Sequence, residues 1–475
     1  MARIVIIGAG MSGLAAAARL ATLGHRVTVC EDSGTYGGQA GRHELDGFRF
    51  DTGPTLLTLP AVYRDLALKT GKEPLEQLVA LAPVDPESRH LFPDGTDLLL
   101  PNASRGGVGQ ALDAAFGAGS GAAWAEVMNR GRAVWEATRR PLLEEPLPDD
   151  TTPLRADPYP AAPRRGLARL RRRPGATLAE VARHELGGHP GLAQLLHEYA
   201  LRFGLDPREA PAGATVLPYM EQSFGVWYVE GGIRALAGAV YRRCELRGVE
   251  FRFGTPVTEV LTDGGRVSGV LADGKPLDAD LVVAAGGHDR LVPGRSARPV
   301  PSAGARLLTV FLALDGARPA GTPHRTVVHA ADPAREWDEV FGAGALPERP
   351  TVQVLRPDDA SLVPAGGHEA VTLTVTVPEQ GEPGPAELES YTDGLLAHLA
   401  AAGLDLRGRV RRRETRISGP MPPPALAGAG GAYLGAPNRS AVPGLYLVGA
   451  DAHPGGGLAR VGMSASITAG LIGPA

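Results

Sequence analysis

The stretch that most constrains this chain stands at its start. Residues 3–7, Arg-Ile-Val-Ile-Ile, read as a short buried strand, and Gly8-Ala9-Gly10-Met11-Ser12-Gly13 follows at once. Leu14 to Leu23 then reads as a helix, and a second strand, His25 to Cys30, ends on Glu31. Each part has a physical role in binding a dinucleotide. Gly8 permits the tight turn, Gly10 lets a pyrophosphate reach the backbone, and Gly13 lets helix and strand pack closely. The helix N-terminus, with Ser12 at its opening, faces the phosphates with its dipole and free N–H groups. Glu31, eighteen residues after Gly13, can accept hydrogen bonds from both ribose hydroxyls of an adenosine. The spacing therefore predicts a strand–turn–helix–strand unit of the Rossmann type, with a dinucleotide on its glycines.

The rest of the composition narrows the class. At 475 residues the chain is long enough for two or three domains. Its net charge of −4 gives no general attraction to nucleic acid. Two cysteines, Cys30 and Cys244, make neither a disulfide framework nor a metal cluster. The histidines show no pairing with carboxylates at metal-ligand spacing, so no metal is expected, and no nucleophile elbow points to hydrolysis. The glycines at 8, 10 and 13 interrupt the N-terminal apolar run and argue against a secretory signal. No run of 18 uninterrupted apolar residues exists, so no spanning helix is expected. A cytoplasmic protein follows, or one peripheral at the inner membrane surface. The strongest charge cluster, "PRRGLARLRRRPG" at 163–175, reads either as a solvated face or as a contact with anionic lipid.

The segment "YGGQAGRHELDGFRFDTGPTLL" at 36–57 decides which dinucleotide. Gly37-Gly38 closely follow the ribose acid, and a later turn carries Gly53-Pro54-Thr55. A nicotinamide dehydrogenase needs no such continuation, whereas glutathione-reductase-like flavoproteins use a second glycine turn at the FAD pyrophosphate. With "GFRFDTGPTLLTLP" at 47–60, "GVWYVEGGIRALAGAV" at 225–240, the block at 255–283, the block at 324–366 and the C-terminal "LYLVGADAHPGGGLARVGMSASITAGLI", the chain resembles the carotenoid (phytoene) desaturase family of FAD-dependent oxidoreductases, within the amine-oxidase-like group. The resemblance covers most of the length.

The resemblance implies a non-covalent FAD held by both ends of the chain. At the N-terminal end it implies contacts from Gly38, Gln39 and Thr55. Gln39 stands where relatives often carry a basic residue, which makes Arg42 the candidate substitute. Val257 is placed to meet the adenine side through its backbone. At the C-terminal end Gly449 and Asp451 reach the ribityl-phosphate region. Because an acid beside a pyrophosphate would be repelled, Asp451 is assigned to a ribityl hydroxyl. Glycines 455–457 are expected to let the backbone pass close to the flat ring. Val461 is expected to open a helix whose N-terminus faces flavin N1 and O2. "LAR" at 458–460 departs from the apolar residue, proline and small residue common in relatives. Arg460, immediately before the expected helix, is a candidate to favour flavin reduction, or else points to solvent or pairs with a carboxylate. His453 is the one histidine singled out, as a structural hydrogen bonder or an acid–base group.

The expected fold is α/β. A discontinuous glutathione-reductase-like, Rossmann FAD-binding domain takes 1–70, 220–290 and 440–475. A substrate domain of one mixed sheet with a helical cap takes 71–219 and 291–439. The implied reaction is dehydrogenation of an apolar polyene, carotenoid-like or terpenoid, by hydride transfer to flavin N5, with oxygen or a quinone-like acceptor reoxidising the cofactor. The alternatives are an amine or amino-acid oxidase, another natural-product tailoring oxidase, and a non-catalytic flavin-binding partner protein.

Overall fold

A computed structural model describes residues 1–160, 176–286, 291 and 303–475; the arginine cluster at 163–175 lies outside the described residues. Arg3–Ile7 and Arg26–Cys30 are strands, separated by the Met11–Thr22 helix. They sit in a five-stranded parallel sheet ordered Glu250–Arg252, Arg26–Cys30, Arg3–Ile7, Leu281–Ala285, Leu445–Val448. The strands are short and rich in Val and Ile because both faces are covered, as parallel sheets require. Their carboxyl ends lie at one edge, where Gly8, Glu31, Gly286 and Gly449 follow in turn. The chain order reverses beside Arg3–Ile7, which makes this edge the topological switch point where such sheets take ligands. An antiparallel three-stranded layer, Val257–Asp263, Arg266–Ala272 and Lys275–Asp278, hangs from it.

A second, seven-stranded sheet runs Val410–Ile417, Ala305–Asp315, His368–Pro378, Val352–Leu355, Arg325–Val328, Ser88–Leu91, Asp97–Leu100. It is mixed: Arg325–Val328 pairs parallel with Ser88–Leu91, and the other neighbours are antiparallel. Alternation explains its two faces. Val371, Leu373 and Val375 join Leu308, Val310 and Leu312 in a core with Leu395, Leu396 and Leu399 of the Pro385–Ala401 helix. On the opposite face Phe311, Ala313 and Ala370 pack against Phe48 and Phe50 of the Arg42–Asp51 hairpin. The described residues of 71–219 are mainly helical and include Leu178–Glu185 and Pro190–Leu201, with Val216–Phe224 following.

A buried ionic network fastens this sheet to the helices. Arg325 Nη2 donates to Glu87 Oε1 at 2.8 Å and Glu221 Oε1 at 2.6 Å, while Arg202 pairs with Glu221 at 2.9 Å. Burial and the neighbouring Glu221 push the Glu87 carboxyl well above its usual range. Phe203, the next residue after Arg202, then reaches the C-terminal glycines described below.

Candidate functional site: a nucleotide cradle closed by the C-terminus

The first glycine loop forms because its three glycines meet three different demands. Gly8 has φ +99°, a conformation other residues adopt only with strain. A Cβ on Gly13 would stand 2.0 Å from Gly8 O, so helix and strand pack only if this side chain is absent. Gly10 differs: its φ is −67°, and a Cβ there would meet nothing nearer than Gly38 Cα at 4.0 Å. The protein's own packing does not require glycine at this point. A ligand pressed against the backbone would require it, and the donor set fits a dinucleotide.

Glu31 is nine-tenths buried at the end of its strand. Its Oε2 accepts from Ala9 N at 2.6 Å, and Oε1 accepts from Ser33 N at 3.0 Å and Ser33 Oγ at 2.7 Å. The carboxylate is thereby aimed along the glycine loop, with lone-pair capacity left for a hydroxyl. Thr255 N donates to Glu31 O at 2.8 Å, which brings the start of the Val257–Asp263 strand beside the acid. Ser12 is buried in the first turn of the helix, and its Oγ would lie 3.1 Å from a Cβ on Gly449. The two ends of the chain therefore touch here.

The second glycine turn stacks on the first. Gly37 N donates to Ala9 O at 2.8 Å, and a Cβ on Gly38 would lie 3.0 Å from Gly10 Cα. The side chain of Gln39 is exposed, while its carbonyl accepts from Thr52 Oγ1 at 3.2 Å. Thr55 is half-buried two residues past Gly53. Arg42 Nη2 donates to Gly231 O at 3.2 Å, directing that cation toward the next glycine pair. A residue missed by sequence reasoning stands closer to the turn. Arg234 donates to Tyr36 O and to Thr35 Oγ1, and its guanidinium lies 3.9 Å from the Tyr36 ring centroid. Its signal was the "GGIR" that opens the Ile233–Leu246 helix, whose first N–H Asp51 Oδ2 accepts at 3.0 Å.

The C-terminal segment is built around a second missed residue. Asn438 is fully buried, and its Nδ2 lies 3.1 Å from Leu447 O, 2.8 Å from His453 O and 3.0 Å from Ser464 Oγ. Ser464 Oγ in turn accepts from Gly449 N at 3.2 Å. One amide thus ties together the last strand, the loop after it and the final helix. Asp451 is half-buried, and its Oδ2 would be 3.9 Å from a Cβ on Gly286. His453 is buried with Nε2 3.1 Å from Glu145 O, so that nitrogen carries the proton; burial pushes the ring pKa down to about 4. The environment favours a neutral imidazole.

Two expectations for this segment need correction. The C-terminal helix begins at Leu458, not at Val461, because Gly457 already serves as its N-cap and Leu-Ala-Arg enters the first turn. Arg460 is therefore inside the helix rather than before it. Glycines 455 and 456 are explained by protein packing: a Cβ on Gly455 would be 2.6 Å from Pro423 O, and one on Gly456 2.0 Å from Pro422 O. Only Gly457 opens elsewhere, toward Arg460 Nη1 and Phe203 Cε1. The Tyr63 hydroxyl donates to Leu458 O at 2.8 Å and fixes this end of the helix. A separate groove of about 540 Å³, lined by Leu91, Phe92, His329 and the Gly394–Ala402 side of a helix, shares no residue with the glycine loops.

Comparison with known proteins agrees with this construction. The model of the family described as flavin containing amine oxidoreductase matches residues 11–472. Hydroxyneurosporene desaturase of Cereibacter sphaeroides is 32% identical, covering 97% of this chain and 95% of its own. The protein of that name in Rhodobacter capsulatus is 30% identical, covering 96% and 94%. A crystal structure of an oxidoreductase from Methanosarcina mazei shares the fold, with TM-score 0.65, 18% identity, and coverage of 98% and 99%. No helix among the described residues is long and apolar enough to cross a membrane. A sheet edge with two glycine turns and a buried acid, closed by the chain's own C-terminus, accords with all of these, and the chain belongs to the flavin-containing amine oxidoreductases and, within them, to the carotenoid desaturase family.

Proposed function

We propose that this oxidoreductase binds FAD non-covalently and desaturates an apolar polyene of the carotenoid type. The observation that carries the reading is Gly10, a glycine that no atom of the described residues requires, next to Ala9, whose N–H donates to Glu31. The desaturase names of its relatives supply the reaction class. When bound, FAD supplies two-electron chemistry, accepting a hydride from a substrate C–H.

The chain's residues do the holding. Glu31 accepts from the adenosine ribose hydroxyls while Ala9 N keeps the carboxylate in line. Backbone N–H groups at Gly10 to Gly13, with Ser12, meet the pyrophosphate. Gly38 lets the second turn approach it, with Gln39, Thr55 and Arg42 at that turn. The backbone near Val257 borders the adenine. Gly449 gives the ribityl-phosphate access to the last strand, and Asp451 accepts from a ribityl hydroxyl. The opening turn of the C-terminal helix, Leu458 to Arg460, presents N–H groups to the ring, while Val461 N already donates to Gly457 O at 3.0 Å. His453 orients the loop through the Glu145 carbonyl rather than moving a proton. In domain terms, 1–70, 220–290 and 440–475 carry the cofactor, and 71–219 with 291–439 carry the substrate. A cytoplasmic enzyme meeting its lipid-soluble substrate at an anionic inner-membrane surface, through 163–175, completes the proposal.

The test is an anaerobic one. Purified protein should be yellow, release FAD on heating, and bleach on addition of an acyclic polyene but not of amines or NADPH. Bleaching by an amine would make it an amine oxidase. FAD binding without bleaching by any of these compounds would favour a non-catalytic flavin protein.

A further inference from the structure

The described residues include five buried arginines: Arg243, Arg306, Arg325, Arg356 and Arg460. Four of them hold a carboxylate. Arg243 pairs with Glu73, Arg306 with Glu382 at 3.0 Å, Arg325 with Glu87 at 2.8 Å, and Arg356 with Glu369 at 2.7 Å. Arg460 is 6% exposed and, among the described residues, has neither an ion pair nor a hydrogen bond; its Nε is enclosed without a partner.

Its position compounds the cost. Arg460 is the third residue of the 15-residue Leu458–Ile472 helix. A cation in the first turn opposes the helix dipole, which favours anions there. A buried, unpaired charge costs several kcal/mol, and an arginine on a surface helix would carry its head out to water. Here the guanidinium instead turns back toward the helix start. Its Nη1 is 3.6 Å from where a Cβ on Gly457 would stand, and Phe203 Cε1 is 4.0 Å from the same point. The helix N-terminus and an enclosed cation thus address one place, on the side of the C-terminal segment that the proline backbone leaves open.

We infer that Arg460 is the charge partner of the flavin's pyrimidine edge, N1 and O2, where negative charge accumulates on reduction, so that this chain holds reduced FAD more tightly than oxidised FAD. The inference rests on the FAD reading above and adds a residue that sets the cofactor's potential. Oxidised flavin is neutral at that edge and reduced flavin is anionic, so a fixed cation discriminates between them without touching the substrate. The helix N–H groups act in the same direction.

The experiment is a redox titration of FAD-loaded protein beside direct binding of oxidised FAD. Arg460→Met keeps the side-chain length and removes the charge. It should lose about tenfold more affinity for reduced FAD than for oxidised FAD, a fall of about 30 mV in the two-electron potential. Arg460→Lys should recover most of that loss. An unchanged potential in the FAD-loaded Met variant overturns the inference. So does an unchanged potential accompanied by a raised KM for oxygen-bearing polyenes alone, which would assign the cation to substrate. If the Met variant does not fold, Arg460→Gln carries the same test, and an unchanged potential in that FAD-loaded variant overturns the inference. Failure of the parent to bind FAD at all would instead sink the cofactor reading.

Discussion

The two glycine-rich ends of the chain meet at one sheet edge, but they are finished differently. At the N-terminal loop the protein satisfies itself: both oxygens of Glu31 have donors from Ala9 and Ser33. At the C-terminal segment, enclosed atoms of three residues are left without partners, namely Asn438 Oδ1, His453 Nδ1 and Arg460 Nε. Buried polar atoms are nearly always hydrogen-bonded. The N-terminal loop is therefore already satisfied, whereas the C-terminal segment keeps polar capacity that water or a ligand must meet.

Acid should separate the two ends most strongly. Burial holds the His453 pKa at about 4, against about 6.5 unfolded. Below pH 6.5 the unfolded chain binds a proton that the folded one refuses. The stabilisation is thus present above that pH and is lost as pH falls toward 4. The loss is about 2 kcal/mol by pH 5 and about 3 kcal/mol in full. Urea unfolding of the parent and of His453→Gln at pH 7 and pH 5 should show the smaller acid loss in the variant. Equal losses would mean that His453 is not a buried neutral imidazole.

The next largest effect falls on the cradle. Glu31→Ala removes a charge-assisted acceptor and should weaken FAD binding by about 1.5–3 kcal/mol, read by fluorescence titration. Unchanged affinity would remove Glu31 from the site.

The smallest effect is the sharpest comparison, between two glycines of one loop. Gly13→Ala forces a Cβ against Gly8 O and should destabilise the apoprotein by about 1–3 kcal/mol. Gly10→Ala meets no such obstacle and should change apoprotein stability by no more than about 0.5 kcal/mol, while still lowering FAD affinity at least about tenfold. If Gly10→Ala binds FAD normally, the cofactor does not press on that backbone.

The cradle was legible in the sequence because its logic is local. Strand, three glycines, helix and acid lie within residues 3–31, and their spacing alone dictates a turn that exposes N–H groups beside a carboxylate. Legibility stopped where partners are distant in the chain. Arg234 reaches Tyr36 across 198 residues, and Tyr63 reaches Leu458 across 395. Asn438 sits in a stretch of alanine, glycine and proline that carries no periodic signal.

By itself, then, the sequence determined the α/β class, the first glycine loop and the acid that follows it, since contiguous residues set backbone geometry through sterics and hydrogen bonding. The tertiary structure decided which glycines serve packing and which do not: Gly455 and Gly456 yield to Pro422 and Pro423, while Gly10 does not yield to any atom of the described residues. It also decided that Arg460, whose expected place was before the helix, is buried inside the first turn without a carboxylate among the described residues. Burial and partnership are properties of the assembled chain, because they depend on what remote segments bring to the same point.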